Sequence, residues 1–433
     1  MISELITLLG GREVGRVRRD TRGRLLFNYT PDWREADDAY PLSLSMPLAA
    51  QQHGPAVIEA FLWGLLPDNE LVLERWAKKF QISPRNVFAL IANIGEDCAG
   101  AVQFVPPDRL EALCGAGVGD EHDDVEWLDE AGMEARLKIL REDHAAWRLP
   151  RDTGQFSLAG AQPKTALLFA DGRWGVPSGR MPTTHILKPP TGQFDGHAEN
   201  EHICLGLARS LGLPIASSRV MRFGEEIAIV VERYDRVRSG NDIIRVHQED
   251  ICQALGVMPT RKYQSEGGPG VADIVELLRT YSSARDEDVT AFIDAVAFNW
   301  LIAGTDAHAK NYSLLISGGP RVRLAPLYDV ASLLPYPQFD PWRTRLSMKI
   351  GGEYRLRDVR LAEWVKLARD VRMDAGGLVS RISAMAARLP DEVSALTAKA
   401  RAEGLDPPII GTLMAALIER AAACGKLLDE PLQ

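Results

Sequence analysis

One stretch of this chain constrains its fold more than any other. Residues 286–304, DEDVTAFIDAVAFNWLIAG, are long and strongly apolar. A helix with so little polar surface has to be enclosed by other elements rather than laid on a surface. The stretch therefore predicts a central core helix with further structure packed around it. A chain of 433 residues that is 46% apolar and 25% charged carries enough apolar material for a core of that size.

The patterns before and after this helix differ. Residues 1–30 alternate and turn often: strand, Gly-Gly turn, strand, Arg-Gly turn, strand. Residues 56–93 give two or three amphipathic helical pieces punctuated by Pro67 and Pro84, and AGAVQFVPP returns to strand. Residues 1–106 thus read as a small α/β domain. Residues 107–152 are highly charged, with a Gly-rich acidic run, GAGVGDEHDD at 115–124, and a short helix near EAGMEARLKIL; they read as a linker.

Strand signals dominate 153–236. FSLAG, KTALLFA-DG-RWGVP and THILKPP read as successive strands, with Asp171-Gly172 as a hairpin turn. ENEHICLGLARSLG is a helix stopped by Gly212, and SSRVMRF-GEE-IAIVVERYD is a hairpin. From 237 to 433 the pattern is mostly helical. A strand-rich half followed by a helix-rich half is an α+β arrangement, or two lobes with a natural ligand cleft between them.

Composition narrows the function. A net charge of −9 argues against a stand-alone nucleic-acid binder, because phosphate contacts need clustered Lys and Arg. Cys98, Cys114, Cys204, Cys252 and Cys424 are scattered and form no C-x-x-C pair, against a disulfide framework or zinc site. The first residues have no basic region followed by a sustained apolar stretch, and no window approaches 18 uninterrupted apolar residues. The expectation is a cytoplasmic protein with no membrane partner.

Chemistry concentrates at 299–332, NWLIAGTDAHAKNYSLLISGGPRVRLAPLYDVAS. The helix stops at Gly304, a polar loop runs from Thr305 to Asn311, a hairpin follows, and Tyr328-Asp329 comes just past its far end. Asp306 and Asn311 are spaced D-x-x-x-x-N. Phosphoryl transfer needs a group to orient a hydroxyl nucleophile and oxygen ligands for a divalent cation. Asp306 can take the hydroxyl proton, and Asn311 and Asp329 are suitable hard ligands for Mg²⁺. Each residue alone would read as a turn or cap; the three together, around one hairpin, point to an ATP-dependent phosphotransferase. His308 is an additional candidate in the same loop. Lys188 ends the strand HILK and is the leading candidate for a phosphate-contacting cation. Glu201 opens the next helix, where it can pair with that lysine or serve the helix dipole. SLAGAQPK, residues 157–164, is a small-residue loop whose backbone N–H groups can meet a phosphate, and Pro163 stiffens it. IVVERYD, residues 229–235, leaves for the helical half, where a kinase hinge would lie.

These pieces in order, FSLAGAQPKTAL, HILKPP, ENEHICLGLARSLGL, VVERYDR, VHQEDICQALG, TDAHAKN and PLYDVAS, resemble the HipA family of bacterial serine/threonine kinase toxins of type II toxin–antitoxin systems. The resemblance runs through most of the chain. It implies a two-lobed protein-kinase-like fold of the α+β class: a strand-rich N-lobe with an N-terminal α/β subdomain, and an all-helical C-lobe. The subdomain would be 1–106, the linker 107–152, the N-lobe core 153–236 and the C-lobe 237–433. It implies Asp306 as catalytic base and Asn311 and Asp329 as Mg²⁺ ligands. Ala159, Gly160, Ala161, Gln162, Lys164 and Lys188 would bind the ATP phosphates, and His308, Lys310, Asn311, Tyr328 and Asp329 would complete the nucleotide contacts. Glu232 and Tyr234 would lie at the adenine hinge. Ser157 would be the autophosphorylation site that ejects the loop and silences the kinase. The implied partners are a HipB-like helix-turn-helix antitoxin, operator DNA only indirectly through that antitoxin, and a protein substrate such as glutamyl-tRNA synthetase or another aminoacyl-tRNA synthetase. Modifying such a substrate slows translation and promotes persistence. The alternatives are a small-molecule kinase of the aminoglycoside or choline type, which shares the Asp-x4-Asn logic, and a non-catalytic antitoxin-binding corepressor.

Overall fold

The computed structural model describes residues 3–110, 125–149, 152, 156–192, 196–240, 242–319, 321–405 and 408–429. The acidic Gly-rich run 115–124 lies outside the described residues.

The chain begins with strands β1 (Glu4–Leu9), β2 (Arg12–Arg19) and β3 (Leu25–Tyr29). Gly10 and Gly11 take the positive φ, 57° and 81°, that the tight β1–β2 turn requires. Helix α1 (Pro31–Arg34), strand β4 (Gln52–His53), helices α2 (Pro55–Gly64), α3 (Glu70–Phe80) and α4 (Val87–Ile94), and strand β5 (Val102–Val105) follow. The strands form an antiparallel sheet in the order β4-β3-β2-β1-β5. Alternation buries Leu25, Phe27 and Tyr29 of β3 on one face, where they share a core with Phe61, Trp76 and Phe104. The strand and helix pattern read from the sequence for this region matches these elements.

Strand β6 (Val125–Leu128), helix α5 (Glu130–Glu142), strands β7 (Thr165–Ala170), β8 (Arg173–Pro177) and β9 (His185–Lys188), helix α6 (His197–Ser210), and strands β10 (Ser218–Phe223) and β11 (Glu226–Glu232) come next. The second sheet has the order β10-β11-β9-β7-β8-β6. Asp171 and Gly172 both have positive φ, 52° and 74°, as the two-residue hairpin turn between β7 and β8 demands. Two details depart from expectation. The segment read as linker contributes β6, which pairs with β8. FSLAG is not a strand; Phe156 and Gly160 make isolated bridges with Asp97 and Pro67 instead.

The remainder holds strands β12 (Arg236–Ser239), β13 (Asp242–Arg245) and β14 (His247–Asp250), helices α7 (Ile251–Ala254), α8 (Val271–Tyr281) and α9 (Arg285–Ile302), strands β15 (Ser313–Ser317), β16 (Arg321–Leu324), β17 (Arg345–Ile350) and β18 (Glu353–Arg355), and helices α10 (Leu361–Asp370), α11 (Ala375–Ala402) and α12 (Pro408–Asp429). The expectation of an all-helical second half is therefore corrected: β12 pairs with β13, β14-β15-β16 form a sheet, and β17 pairs with β18. The β15–β16 hairpin is the one read from the sequence after Asn311; the other strands have three to six residues each, too short for their period-2 signal to stand out between long helices. The α+β class holds. As expected, α9 is a core helix, with Phe292, Ile293 and all of Ala295–Ile302 buried, and Trp300 meeting Trp364 edge to face at 5.5 Å.

Among the described residues one helix, α12, is long and apolar enough to cross a membrane by length and composition. Counting uninterrupted apolar residues did not anticipate it. Its buried residues Ile410, Leu413, Leu417, Ala421, Cys424 and Leu428 recur at three- and four-residue spacing, the stripe of a helix that packs on one side, here against α11 and α9.

The chain divides into two compact units: Met1–Pro189, Met221–Thr260 and Ser313–Val322 form the first; Pro190–Val220, Arg261–Tyr312 and Arg323–Gln433 form the second. The first contains both large sheets, and the second contains α6 and α8 to α12.

Candidate active site

In the second unit, α9 ends in a left-handed residue, Ala303 with φ 53°, and the Gly304 N–H donates back to the Asn299 carbonyl at 2.8 Å. A Cβ at Gly304 would lie 2.3 Å from Asn299 Oδ1, so any larger residue would have to displace that buried side chain. The chain then enters the loop from Thr305 and a single 3-10 turn, Ala309–Asn311. The loop is tied internally: His308 N–H donates to the Asp306 carbonyl and Asn311 N–H to the His308 carbonyl, both at 2.9 Å. Ser347 Oγ holds its start by donating to the Thr305 carbonyl at 2.7 Å. Asp306 is exposed, and its Oδ1 accepts from the Tyr263 hydroxyl at 2.7 Å. The Tyr263 ring meets His308 edge to face at 5.0 Å, and Ala309 N–H donates to the Lys262 carbonyl. An exposed carboxylate in a tied loop is what a base for an incoming hydroxyl needs.

Asn311 lies in the same loop but is buried, and its Oδ1 has no hydrogen-bond partner among the described residues. Leaving a buried amide oxygen unmet is costly unless water or a cation meets it. The Tyr328 hydroxyl donates to the Lys310 carbonyl at 2.8 Å. Thus the residues preceding Asp329 and Asn311 are bonded to each other. Asp329 has φ 58°, a left-handed conformation that Asp accepts more readily than most residues. The following chain is strapped to the end of α9 by Ser332 Oγ on the Ile302 carbonyl at 2.6 Å and Leu333 N–H on the Ala303 carbonyl at 3.1 Å. Asn200 of α6 exchanges hydrogen bonds with the Ser332 backbone. So Asp306, His308, Lys310, Asn311, Tyr328 and Asp329 come from two segments bonded together within one unit. Among the described residues no three His, Cys, Asp or Glu side chains gather into a metal cage. One amide and one carboxylate oxygen are a ligand set that suits Mg²⁺, which fills its octahedron with waters and phosphate oxygens. The unmet oxygen of Asn311 fits that ion.

Apart from Glu201, which is in the second unit, the other predicted residues lie in the first. Lys188 ends β9, buried and opposite Ile229 of β11. Gly160, with φ 101°, crests the loop Ala159–Lys164, and its carbonyl accepts from Asp68 N–H at 3.0 Å. The Lys164 ammonium folds back onto the Ala159 carbonyl at 2.7 Å and lies 5.3 Å over the Trp147 ring. A Cβ at Gly160 would lie 2.6 Å from that ammonium. Ala161 is exposed at the tip and Gln162 half-buried. Ser157 is 0% exposed; its hydroxyl donates to the Leu65 carbonyl at 2.7 Å and its N–H to the Asp97 carbonyl at 2.9 Å. Glu232 is exposed at the end of β11. The Tyr234 hydroxyl is committed to the Gln248 side chain, and burial pushes its pKa well above the usual phenol range. Glu201 is fully buried in α6.

Sequence reasoning missed Tyr263, which fixes Asp306, and Asp97, which holds Ser157. Tyr263 lies in RKYQSEGG, where an aromatic between basic residues and a Gly-rich turn was the available signal. Asp97 gave none, since its partners are distant in sequence.

Comparison with known proteins identifies the family. The sequence model of the HipA N-terminal domain matches residues 5–105, and that of the HipA-like C-terminal domain matches residues 156–394. A Sinorhizobium fredii protein described as "Putative kinase Y4mE" is 37% identical over 396 residues, covering 89% of this chain and 91% of its own. The serine/threonine-protein kinase toxin HipA of Shewanella oneidensis is 30% identical over 405 residues, covering 89% of this chain and 87% of its own. A solved chain from the Shewanella oneidensis MR-1 complex of HipA, HipB and operator DNA superposes with a TM-score of 0.83 at 25% identity, over 98% of both chains. Two family matches spanning both halves of the chain, with an overall fold to match, establish that this protein belongs to the HipA family of serine/threonine-kinase toxins.

Proposed function

We propose that this kinase transfers phosphate from Mg²⁺–ATP to a serine or threonine of a translation component, an aminoacyl-tRNA synthetase such as the glutamyl enzyme, and thereby acts as a cytoplasmic toxin that promotes persistence. The observation that carries the reading is the buried, unmet Oδ1 of Asn311, in a loop whose Lys310 carbonyl is bonded to the neighbour of Asp329. Asp306, exposed and oriented by Tyr263, takes the proton of the acceptor hydroxyl. Asn311 and Asp329 hold Mg²⁺, which when bound neutralises charge on the phosphates. The backbone of Ala159, Gly160, Ala161 and Gln162, with Lys164 and Lys188, binds phosphate oxygens; His308, Lys310 and Tyr328 complete the nucleotide contacts. The backbone at Glu232 and Tyr234 reads the adenine edge, since the Tyr234 hydroxyl is already bonded to Gln248.

Ser157 is the self-phosphorylation site. Its complete burial supports the silencing role, because a phosphoserine cannot occupy a closed position beside the Leu65 carbonyl. The Shewanella relative crystallised with HipB and operator DNA supports a HipB-like helix-turn-helix antitoxin as partner, with DNA reached through it. Labelled ATP incubated with the protein and a whole-cell lysate tests the reading. It predicts a labelled protein band and, on expression without antitoxin, growth arrest that requires Asp306. Label appearing only in small molecules would favour an aminoglycoside- or choline-type kinase, and no transfer at all would favour a corepressor.

A further inference from the structure

Four residues of the N-terminal region, Asp97 to Gly100, are laced to four residues that follow β11, Arg233 to Arg236. Asp97 is 7% exposed. Its Oδ1 accepts from Arg236 at 2.8 Å, and its Oδ2 accepts from the Thr183 N–H at 3.0 Å and hydroxyl at 2.7 Å. Arg233 and Arg245 each stand 3.5 Å from the same carboxylate. Arg233 also donates to the Thr183 hydroxyl and, with Arg236, to the Cys98 carbonyl. Asp235 closes the set by accepting from Gly100 N–H at 2.6 Å and pairing with Arg233. Burial alone would raise the Asp97 carboxyl, but Arg236, Arg233 and Arg245 outweigh it and hold it well below the usual range. The carboxylate is ionised and held on both oxygens.

The backbone of this same residue carries the phosphate-loop candidate: Asp97 bridges Phe156, and its carbonyl accepts the Ser157 N–H. One residue thus has its side chain gripped by the segment leaving β11 and its main chain bonded to the start of the 157–164 loop. From this we infer that Asp97 is a positioning residue for nucleotide binding, fixing the phosphate loop to the hinge segment. The HipA N-terminal domain is on this account part of the nucleotide-binding apparatus, not an appendage to it. The inference rests on the proposed role of that loop in holding ATP phosphates. Freeing the carboxylate from Arg236 lets residue 97 shift, and the loop that hangs from its carbonyl loses its fixed position. Pre-formed donors are then lost to ATP, while Asp306, in the other unit, keeps its own surroundings.

Asp97→Asn keeps the shape and removes the charge. Thr183→Val keeps every charge and removes the hydroxyl between Asp97 and Arg233, so it reports even where Asp97→Asn folds poorly. Binding is read with a fluorescent ATP analogue and Mg²⁺, turnover by labelled phosphate transfer, and loop order by hydrogen exchange at the Ser157 amide. Weakening a buried charge-assisted hydrogen bond predicts a nucleotide Kd and KM raised about tenfold, with kcat at saturating ATP within about twofold of wild type. Exchange at Ser157 should rise while α9 stays protected. A merely structural role would instead lower the melting temperature and kcat together and leave KM alone. Folded variants of both kinds with wild-type nucleotide affinity and a protected Ser157 amide would overturn the inference, leaving the kinase reading standing. Wild-type protein that binds no nucleotide would overturn the kinase reading itself.

Discussion

The Tyr328 hydroxyl donates to the Lys310 carbonyl across 2.8 Å, and this bond ties together the chain neighbours of Asp329 and Asn311. The two candidate Mg²⁺ ligands are 18 residues apart in sequence, on opposite sides of the β15–β16 hairpin. Their relationship is set by this bond and by the straps from Ser332 and Leu333 to the end of α9.

Asp329→Asn should raise the Mg²⁺ concentration needed for ATP binding and turnover. Asn, like Asp, tolerates the left-handed φ of 58°, so the variant keeps the backbone and loses only the charge. Alanine would add strain to the same loss. A Mg²⁺ titration at fixed ATP checks this, and an unchanged curve would make Asp329 a turn residue only.

Ser157 should carry phosphate after incubation with Mg²⁺–ATP, and the modified protein should bind ATP poorly. The serine is closed off and bonded to the Leu65 carbonyl, and phosphate adds about 1.5 to 2 negative charges at neutral pH. That charge cannot remain in the closed position, so the loop that follows must leave with it. Mass spectrometry locates the phosphate, and Ser157→Asp should reproduce the weakened nucleotide binding. Phosphate elsewhere, with full ATP affinity in Ser157→Asp, would contradict the switch.

Glu249 should make the protein less stable as pH rises through neutrality. Burial pushes its pKa from 4.5 up to about 8, and its contact with Leu44 N–H only partly offsets this. Between those values the folded state holds a proton that the unfolded state has released, so stability present at acid pH is lost as pH rises. The slope from one such group is at most about 1.4 kcal/mol per pH unit. His247, buried and lowered to about 4, acts in the opposite direction, so the comparison is made by difference. Urea unfolding of Glu249→Gln against wild type at pH 5 to 8 should show the variant gaining relative stability with pH. Parallel curves would mean Glu249 is ionised when folded.

Much of the site was legible because its signals are local. The apolar run of α9, its stop at Gly304, the D-x-x-x-x-N spacing and the hairpin leading to Tyr328-Asp329 lie within 34 consecutive residues, 299–332. The β7–β8 hairpin was legible for the same reason, through Asp171-Gly172. What was not legible depends on distance in the chain. FSLAG has the composition of a strand, yet its bonds go to Asp97, Pro67 and Leu65, so it lies as an extended loop on them. Tyr263 reaches Asp306 across 43 residues, and Arg236 reaches Asp97 across 139. No periodicity in either segment encodes such a meeting. Strands β17 and β18 were missed because short alternating pieces between long helices carry little signal of their own.

Phosphate transfer by Asp306→Ala is the most direct test of the account. The side chain is exposed and lies in a loop tied by its own backbone bonds, so its removal should leave the fold and nucleotide binding near wild type. With labelled ATP and Mg²⁺ against a whole-cell lysate, the account predicts transfer reduced about 10²- to 10⁴-fold, the usual cost of losing a general base. A folded Asp306→Ala protein that binds ATP and transfers phosphate at the wild-type rate would contradict it.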